Sequence, residues 1–237
     1  MTHTGSHLRV ALAAVLSTLT AVAFALPADA QEGSRTRFEI VVPEGLRAEA
    51  ITGRVYVMIA PTDSREPRLQ IGRQGQPFFG RDVEALAPGQ AAVIDGTDLG
   101  WPARSLEDIP PGEYYVQGFV NLYSEFRRAD GHVLWMHDDQ WEGQDFKRSP
   151  GNLHSEVQRV RLDAGAGYDI RLVADQVIPP VEVPEDTEWV QRFRFESPML
   201  TEFWGRPIYL GATVRLPRDY HTSTIEYPVL YKQGHFS

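Results

Sequence analysis

Short segments in which apolar and polar residues alternate run through most of the chain. A period of two is typical of β-strands that bury one face. The pattern predicts strands at residues 37–42, 52–60, 91–94, 114–126, 132–136, 156–162 and 168–174. The longest of them places Tyr114, Val116 and Val120 on its core face, and the last two are expected to pair around the turn at 165–167. Short strands with frequent turns predict a mainly β fold, an immunoglobulin-like β-sandwich over residues 31–174.

Two segments interrupt this pattern. The glycine-rich stretch 72–80 lacks the Gly-Lys-Ser/Thr sequence of a phosphate-binding loop, so we expect a surface loop with Phe78 and Phe79 turned inward. Residues 175–186 contain three prolines, which favour an extended, stiff chain. This segment is therefore predicted to be a linker between two domains.

The alternation resumes after the linker. A strand starting near Thr187 places Phe193 and Phe195 on one face and the arginines on the other. A second strand covers residues 208–216 and ends at Pro217, which cannot donate a ladder hydrogen bond. The short apolar run 229–231 is expected to be a further strand, and Gly234 ends it.

The last part of the chain resembles a family of secreted serine hydrolases. The segments VRLPRDY and YPVLYKQGHFS are similar to the opening of enterochelin-esterase-like and esterase-D-like enzymes. This chain has Gly-His at 234–235 where the family usually has His-Gly. The resemblance covers residues 205–237. It implies that residues 187–237 are the first strands of an incomplete α/β-hydrolase domain, with an oxyanion hole near Gly234 and His235, a small-molecule ester as substrate and no cofactor.

The chain contains no Gly-x-Ser-x-Gly nucleophile motif. On the resemblance, the nucleophile and its partners would follow Ser237. We therefore expect an N-terminal part of an exported esterase-like hydrolase that is inactive by itself.

The N-terminus has the pattern of an export signal. Arg9 precedes an apolar run at 10–26, and Ala28-Asp29-Ala30 supplies small residues at the cleavage positions. We expect a signal peptide over residues 1–30, cleavage after Ala30 and a secreted or periplasmic protein that meets a membrane only through this segment. An uncleaved anchor is the alternative, since the run approaches the length that spans a bilayer.

The net charge and the absence of cysteine exclude some classes of partner and chemistry. The net charge of −9 argues against nucleic acid as a partner, because phosphate binding needs a basic surface. The absence of cysteine excludes disulfides and thiolate catalysis. Neither property determines the oligomeric state.

Residues 132–156 hold the densest group of candidate side chains, for which three interpretations stay open. Trp135, Trp141 and Phe146 are candidates for stacking on a ligand, because loops on a rigid scaffold often carry function. The run His137, Asp138 and Asp139 offers an imidazole and two carboxylates, a weak candidate for a metal site. In the third interpretation the tryptophans cover the end of the sandwich or a domain interface. The alternative function is a secreted, non-catalytic module that binds a saccharide or a protein here.

Overall fold

The computed structural model describes Met1 and residues 35–233. Apart from Met1, the predicted signal peptide lies outside the described residues, and so do Gly234 and His235, the predicted oxyanion-loop residues. Among the described residues, no helix has the length and hydropathy needed to cross a membrane.

The described part is mainly β. Its one α-helix, α1, covers Pro198–Trp204, and three short 3-10 turns lie at Pro67–Leu69, Leu106–Asp108 and Phe146–Arg148. The strands β1 to β13 are Thr36–Val41, Ile51–Ala60, Phe78–Leu86, Ala91–Asp95, Gly100–Trp101, Gly112–Arg127, Val133–His137, Leu153–His154, Gln158–Leu162, Tyr168–Val173, Gln176–Val177, Val190–Glu196 and Tyr209–Arg215. All seven strands predicted before the linker are present, with ends that differ by a few residues.

The first eleven strands form two sheets. The larger has the order β11-β8-β6-β2-β3-β5, and β7 and β9 also pair with β6. The smaller has the order β10-β1-β4, in which β1 is parallel to β10 and antiparallel to β4. Strand β6 is sixteen residues long and pairs with four other strands, so it is the central element of this body.

The main core lies between the two sheets. Phe38 of β1 and Leu172 of β10 are fully buried against Val57 of β2 and Val116 of β6. The sheets approach closely at Gly118, where an added Cβ would lie 3.1 Å from the Cβ of Leu172. The predicted core face of β6 is therefore confirmed, and the glycine in it allows this close approach.

A second apolar cluster covers the outer face of the large sheet. Phe119 of β6 and Met58 of β2 are fully buried there, although both point away from the main core. Ile71, Phe146 and Ile178 reach this cluster from loops that cross the sheet. Strand β6 is consequently buried on both faces over residues 116–121, whereas the sequence predicted burial of one face.

Two predictions for the front of the chain are wrong in part. Strands β9 and β10 do not pair with each other, because β9 joins β6 in the large sheet and β10 joins β1 in the small sheet. The turn between them therefore crosses from one sheet to the other. The predicted glycine-rich loop ends earlier than expected, since β3 starts at Phe78 and pairs with β2. Phe79 is fully buried, as expected.

The first residues of the segment predicted as a linker pack on the strands before it. Strand β11 pairs with β8, and Ile178 after it is buried in the second cluster. The exposed Pro-rich segment therefore begins at Pro179. We call residues 35–178, which contain the two sheets, the front body.

After the Pro-rich segment, β12 and β13 form an antiparallel hairpin with α1 between them. Ser197 caps α1 by accepting a hydrogen bond from the Leu200 backbone N–H at 3.4 Å, and Gly205 ends it with a left-handed φ of 62°. The strand predicted at residues 229–231 is absent from this part of the chain, where Val229, Leu230 and Tyr231 are 73–91% exposed. That prediction is wrong for the described residues.

Candidate functional site

The β12–β13 hairpin has one apolar and one polar face. In an antiparallel pair, directly opposed residues lie on the same side of the sheet. Phe193 opposes Ala212 and Phe195 opposes Leu210, whereas Arg194 opposes Gly211. The predicted separation of the phenylalanines from the arginines is confirmed. We call the first side the apolar face, and it comprises Phe193, Phe195, Leu210, Ala212 and Val214.

The apolar face is open to solvent. Phe193 is 56% exposed, Phe195 55%, Leu210 42% and Val214 39%. Within the described part of the chain, β12 and β13 pair only with each other, so neither has a further strand on its outer edge. Isolated two-stranded hairpins are marginal in water, and contiguous apolar patches of this kind mark surfaces that another element covers.

The polar face contacts the front body at Trp141, in the loop that follows β7. We call residues 123–141, which comprise the end of β6, all of β7 and this loop, the arm. The indole of Trp141 lies against Gly211, where an added Cβ would be 2.2 Å from ring atom Cζ3. The guanidinium of Arg194 lies 5.4 Å from the centre of the Trp141 ring and 4.4 Å from that of Tyr209. Glycine at 211 is therefore what allows the indole to reach the strand.

The backbone at Trp141 has an unusual conformation. Its φ is +77°, a left-handed conformation that bulky residues rarely adopt. The Trp141 backbone N–H donates to Oδ1 of Asp139 at 2.9 Å, which helps to hold the loop in that conformation. Strain of this kind persists only where surrounding contacts fix it.

A second contact joins the arm to the segment after α1. Arg206 donates to Oδ1 of Asp138 at 2.8 Å, and its guanidinium lies 4.0 Å from the centre of the Phe126 ring. Phe126 is buried and meets Trp204 edge-on, with ring centroids 5.5 Å apart. The hairpin is thus held at two places by aromatic and charged groups.

The candidate metal ligands each have a separate partner. Nδ1 of His137 lies 3.1 Å from Oδ1 of Asn121, and its Nε2 lies 2.7 Å from Oε1 of Glu142, whose side chain is 2% exposed. Asp138 pairs with Arg206 and Asp139 accepts from the Trp141 backbone. Among the residues that the structure describes, no group of three or more His, Cys, Asp or Glu could hold a metal ion. These contacts account for the three side chains without a metal.

The candidate stacking residues lie in three different surroundings. Phe146 packs in the second cluster, 5.5 Å from the Tyr56 ring and 5.9 Å from the Phe119 ring. Trp141 contacts Gly211 and Arg194 of the hairpin. Trp135 is 48% exposed on β7, opposite Glu125 of β6. The structure therefore does not assemble them into one stacking site.

A cleft of about 480 Å³ lies beside the arm. It opens between β6, the loop before β8 and the start of the Pro-rich segment. Its lining comprises Arg47, Leu122, Tyr123, Ser124, Asp138, Gln140, Ser149, Pro150, Gly151, Asn152, Val177, Ile178 and Pro180. Sequence reasoning missed it because these segments are distant along the chain and share no motif.

The carboxylate of Glu66 is a further charged group in the front body. Glu66 accepts hydrogen bonds from Nε of Arg68 at 2.7 Å and from Nε2 of Gln117 at 2.9 Å. Burial alone raises the pKa of Glu66, but these two hydrogen bonds and the nearby positive charge outweigh it, so the pKa lies below its usual value. The carboxylate therefore remains ionised on the outer face of the large sheet at neutral pH.

The structure thus offers two candidate features, which are the exposed apolar face of the hairpin and the cleft beside the arm. Exposed apolar patches are typical of surfaces that another element covers, and the volume of the cleft is within the range of small-molecule sites. No protein-family model, curated protein or solved structure was found to match the chain.

Proposed function

We propose that this chain is the N-terminal part of an exported serine esterase-like hydrolase. Residues 35–178 act as an accessory domain with an immunoglobulin-like β-sandwich fold, and β12 and β13 are the first strands of the catalytic domain. Two sheets that enclose one core support the proposed fold. The esterase-like sequence segments near the C-terminus support the proposed catalytic function. The proposed substrate of the complete protein is a small-molecule ester.

The observation that carries the proposal is the open apolar face of the hairpin. The sheet of an α/β-hydrolase domain is covered on its faces, because its strands are joined through helices that pack there. Phe193, Phe195 and Leu210 are the kind of side chains that such a layer covers, and in the described part of the chain no further strand lies on the outer edge of β13. The exposed apolar run at 229–231 is a second segment of this kind.

The role of the described residues is positional. Trp141 against Gly211 and Asp138 with Arg206 fix the hairpin on the arm, so a catalytic domain built onto β13 would be rigidly oriented relative to the accessory domain. The chemistry would come from a serine that follows Ser237, which attacks the ester carbonyl and forms an acyl-enzyme. The resemblance adds backbone donors near Gly234 to stabilise the oxyanion.

The test compares two proteins, the product of the complete gene and the 237-residue chain. Each is assayed with 4-nitrophenyl acetate and then treated with a fluorophosphonate that labels activated serines. We expect hydrolysis and labelling by the complete product only, at the serine of a Gly-x-Ser-x-Gly motif. Turnover by the 237-residue chain, or a complete product that neither hydrolyses the ester nor reacts with the label, would contradict the proposal.

A non-catalytic binding module is the second candidate, and Trp135 is the observation that favours it. This indole is half exposed on the arm, and Glu125 lies opposite it on the neighbouring strand. An exposed aromatic beside a carboxylate suits a sugar ring, which offers an apolar face and hydroxyl groups. Saccharide binding that Trp135→Ala abolishes, in a protein that has no esterase activity, would favour this function.

A further inference from the structure

A chain of side-chain hydrogen bonds leads from β6 to His137 and fixes one proton of its ring. Oδ1 of Asn152 accepts from the Leu122 backbone N–H at 2.9 Å, and the Asn152 amide nitrogen donates to the Phe146 carbonyl at 2.8 Å. The same nitrogen donates to Oδ1 of Asn121 at 3.0 Å, which identifies that oxygen as an acceptor. Nδ1 of His137 lies 3.1 Å from this oxygen, so Nδ1 carries a proton.

The second ring nitrogen of His137 faces a carboxylate. Nε2 lies 2.7 Å from Oε1 of Glu142, a hydrogen-bond distance that requires a proton between the two atoms. The pair therefore holds two protons, which corresponds to an imidazolium beside a carboxylate. A ring that donates from both nitrogens has no lone pair for a metal ion. The Glu142 side chain is 2% exposed and that of His137 19%, so solvent screens this charged pair weakly.

The carboxylate of Glu142 also fixes the turn that carries Trp141. Its Oε2 accepts from the Gln140 backbone N–H at 2.6 Å, so one side chain holds both His137 and the backbone of the turn. Trp141, with its φ of +77°, lies between Gln140 and Glu142 in the sequence. The conformation that places the indole against the hairpin therefore depends on Glu142 as well as on Asp139.

The other ionisable groups of the surrounding elements are neutral or have partners. Burial raises the pKa of Tyr123, which lies opposite His137 on β6, so this phenol is uncharged at neutral pH. The nearby charged groups form ion pairs of their own, which are Asp138 with Arg206, Glu125 with Arg127, Arg54 with Asp82, Arg47 with Glu49 and Lys147 with Asp145. The proton shared by His137 and Glu142 is therefore the one here that dissociates above neutral pH, because imidazole is the side chain that titrates in that range.

We propose that the proton shared by His137 and Glu142 is a pH-sensitive switch that holds the β12–β13 hairpin docked. When this proton leaves to solvent, the Nε2 lone pair faces the carboxylate and a buried charge loses its partner, which is strongly destabilising. Glu142 then moves toward solvent, and the turn with the Trp141 indole moves with it. The hairpin is docked while the pair keeps its proton and is released as rising pH removes it. The inference concerns a contact within this chain and does not depend on the proposed esterase function.

The test is a titration of the ¹⁵N-labelled 237-residue chain by NMR from about pH 6 to about pH 9, the range in which imidazole changes its charge. Long-range ¹H–¹⁵N spectra identify the protonated ring nitrogens of each histidine, and amide spectra report on residues 190–196 and 209–215. At neutral pH we expect protons on both ring nitrogens of His137. As the pH rises, the loss of the Nε2 proton and the shifts of the hairpin amides should share one midpoint.

Two variants separate His137 from the other histidine of the arm. His137→Gln removes the titrating ring, so the hairpin amides should show no transition at that midpoint. His132→Gln is the matched control, because His132 lies on the same arm, is 70% exposed and pairs with Asp130. The hairpin transition should be unchanged in this variant.

Four results would overturn the inference. They are a His137 ring with one protonated nitrogen at neutral pH, hairpin amides that do not respond to pH, different midpoints for ring and hairpin, and a hairpin transition that persists in His137→Gln. The first three are measured on the native chain, so the test remains decisive if His137→Gln does not fold.

Discussion

Trp141→Ala is expected to release the β12–β13 hairpin from the front body while leaving that body folded. The side chain is 49% exposed, so about half of the 150–250 Å² of an aromatic residue is buried against its neighbours, roughly 100 Å². At about 25 cal/mol per Å², this burial contributes at most ~2.5 kcal/mol to docking, the value if all of the buried area faces the hairpin. The stacked Arg194 adds about 0.5 kcal/mol, the value for an exposed cation–π pair.

A loss of at most about 3 kcal/mol should raise the population of undocked hairpin by up to about a hundredfold, because every 1.4 kcal/mol changes an equilibrium constant tenfold. Hydrogen exchange measured by mass spectrometry reports such local opening segment by segment. We expect exchange at residues 190–196 and 209–215 to accelerate strongly in Trp141→Ala. Exchange in β2 and β6 should stay unchanged, since their contacts do not involve Trp141.

Trp135→Ala is the matched control, because Trp135 is 48% exposed and lies on the same arm. The two variants delete the same side chain at the same exposure, and they differ in whether the indole contacts the hairpin. Unchanged hairpin exchange in Trp141→Ala, or equal acceleration in both variants, would refute the docking role of Trp141.

Three further variants test other parts of the structure. Phe119→Ala removes a fully buried ring from the second cluster and should lower the free energy of unfolding by about 3–5 kcal/mol in urea titrations; a loss below about 1 kcal/mol would mean that this cluster is loosely packed. Phe193→Ser changes the apolar face and should alter the free energy of unfolding by less than about 0.5 kcal/mol while reducing self-association in sedimentation velocity; unchanged association would show that the face is not adhesive. Glu66→Gln should be less stable than the native chain at neutral pH. Because the pKa of Glu66 is lower in the folded state, its contribution is present above the unfolded value of 4.5 and is lost as the pH falls through the folded pKa. The difference between Glu66→Gln and the native chain should therefore shrink in urea titrations below pH 4.5, and a difference that grows toward acid would contradict the assigned direction.

The strands of the front body were predictable because their alternation reports directly on burial. The period of two in residues 114–126 identified the core face of β6, and the predicted and observed strands agree closely. Sheet membership was not predictable in the same way. The turn at 163–167 looks like that of a hairpin, but β10 finds its partner in β1, more than a hundred residues away.

The second cluster buries a face of β6 that the sequence pattern predicted to be exposed. Phe119, Gln117 and Asn121 alternate with the core residues of β6 and look like a half-exposed face, yet loops bring Ile71 and Ile178 across them. Local sequence does not encode such long-range cover. The same limit applies to the cleft, where Arg47 meets Ser124 only through the fold.

The sequence singled out Trp141 and Asp138, and one interpretation placed the tryptophans over the end of the sandwich or a domain interface. In the structure Trp141 contacts the β12–β13 hairpin and Asp138 pairs with Arg206. Their partners Gly211 and Arg206 were not predicted, because a glycine in a strand and an arginine in the loop before it carry no signal of contact. The separate partners of His137 and Asp139 likewise depend on the backbone path of the loop.

The central claim is that a catalytic domain covers the apolar face of the hairpin. Determination of the coding sequence after Ser237 tests it most directly. The account predicts an open reading frame that continues and encodes a Gly-x-Ser-x-Gly motif, followed by an acidic residue and a histidine in the order of α/β hydrolases. A stop codon directly after Ser237, or a continuation without that motif, would contradict it.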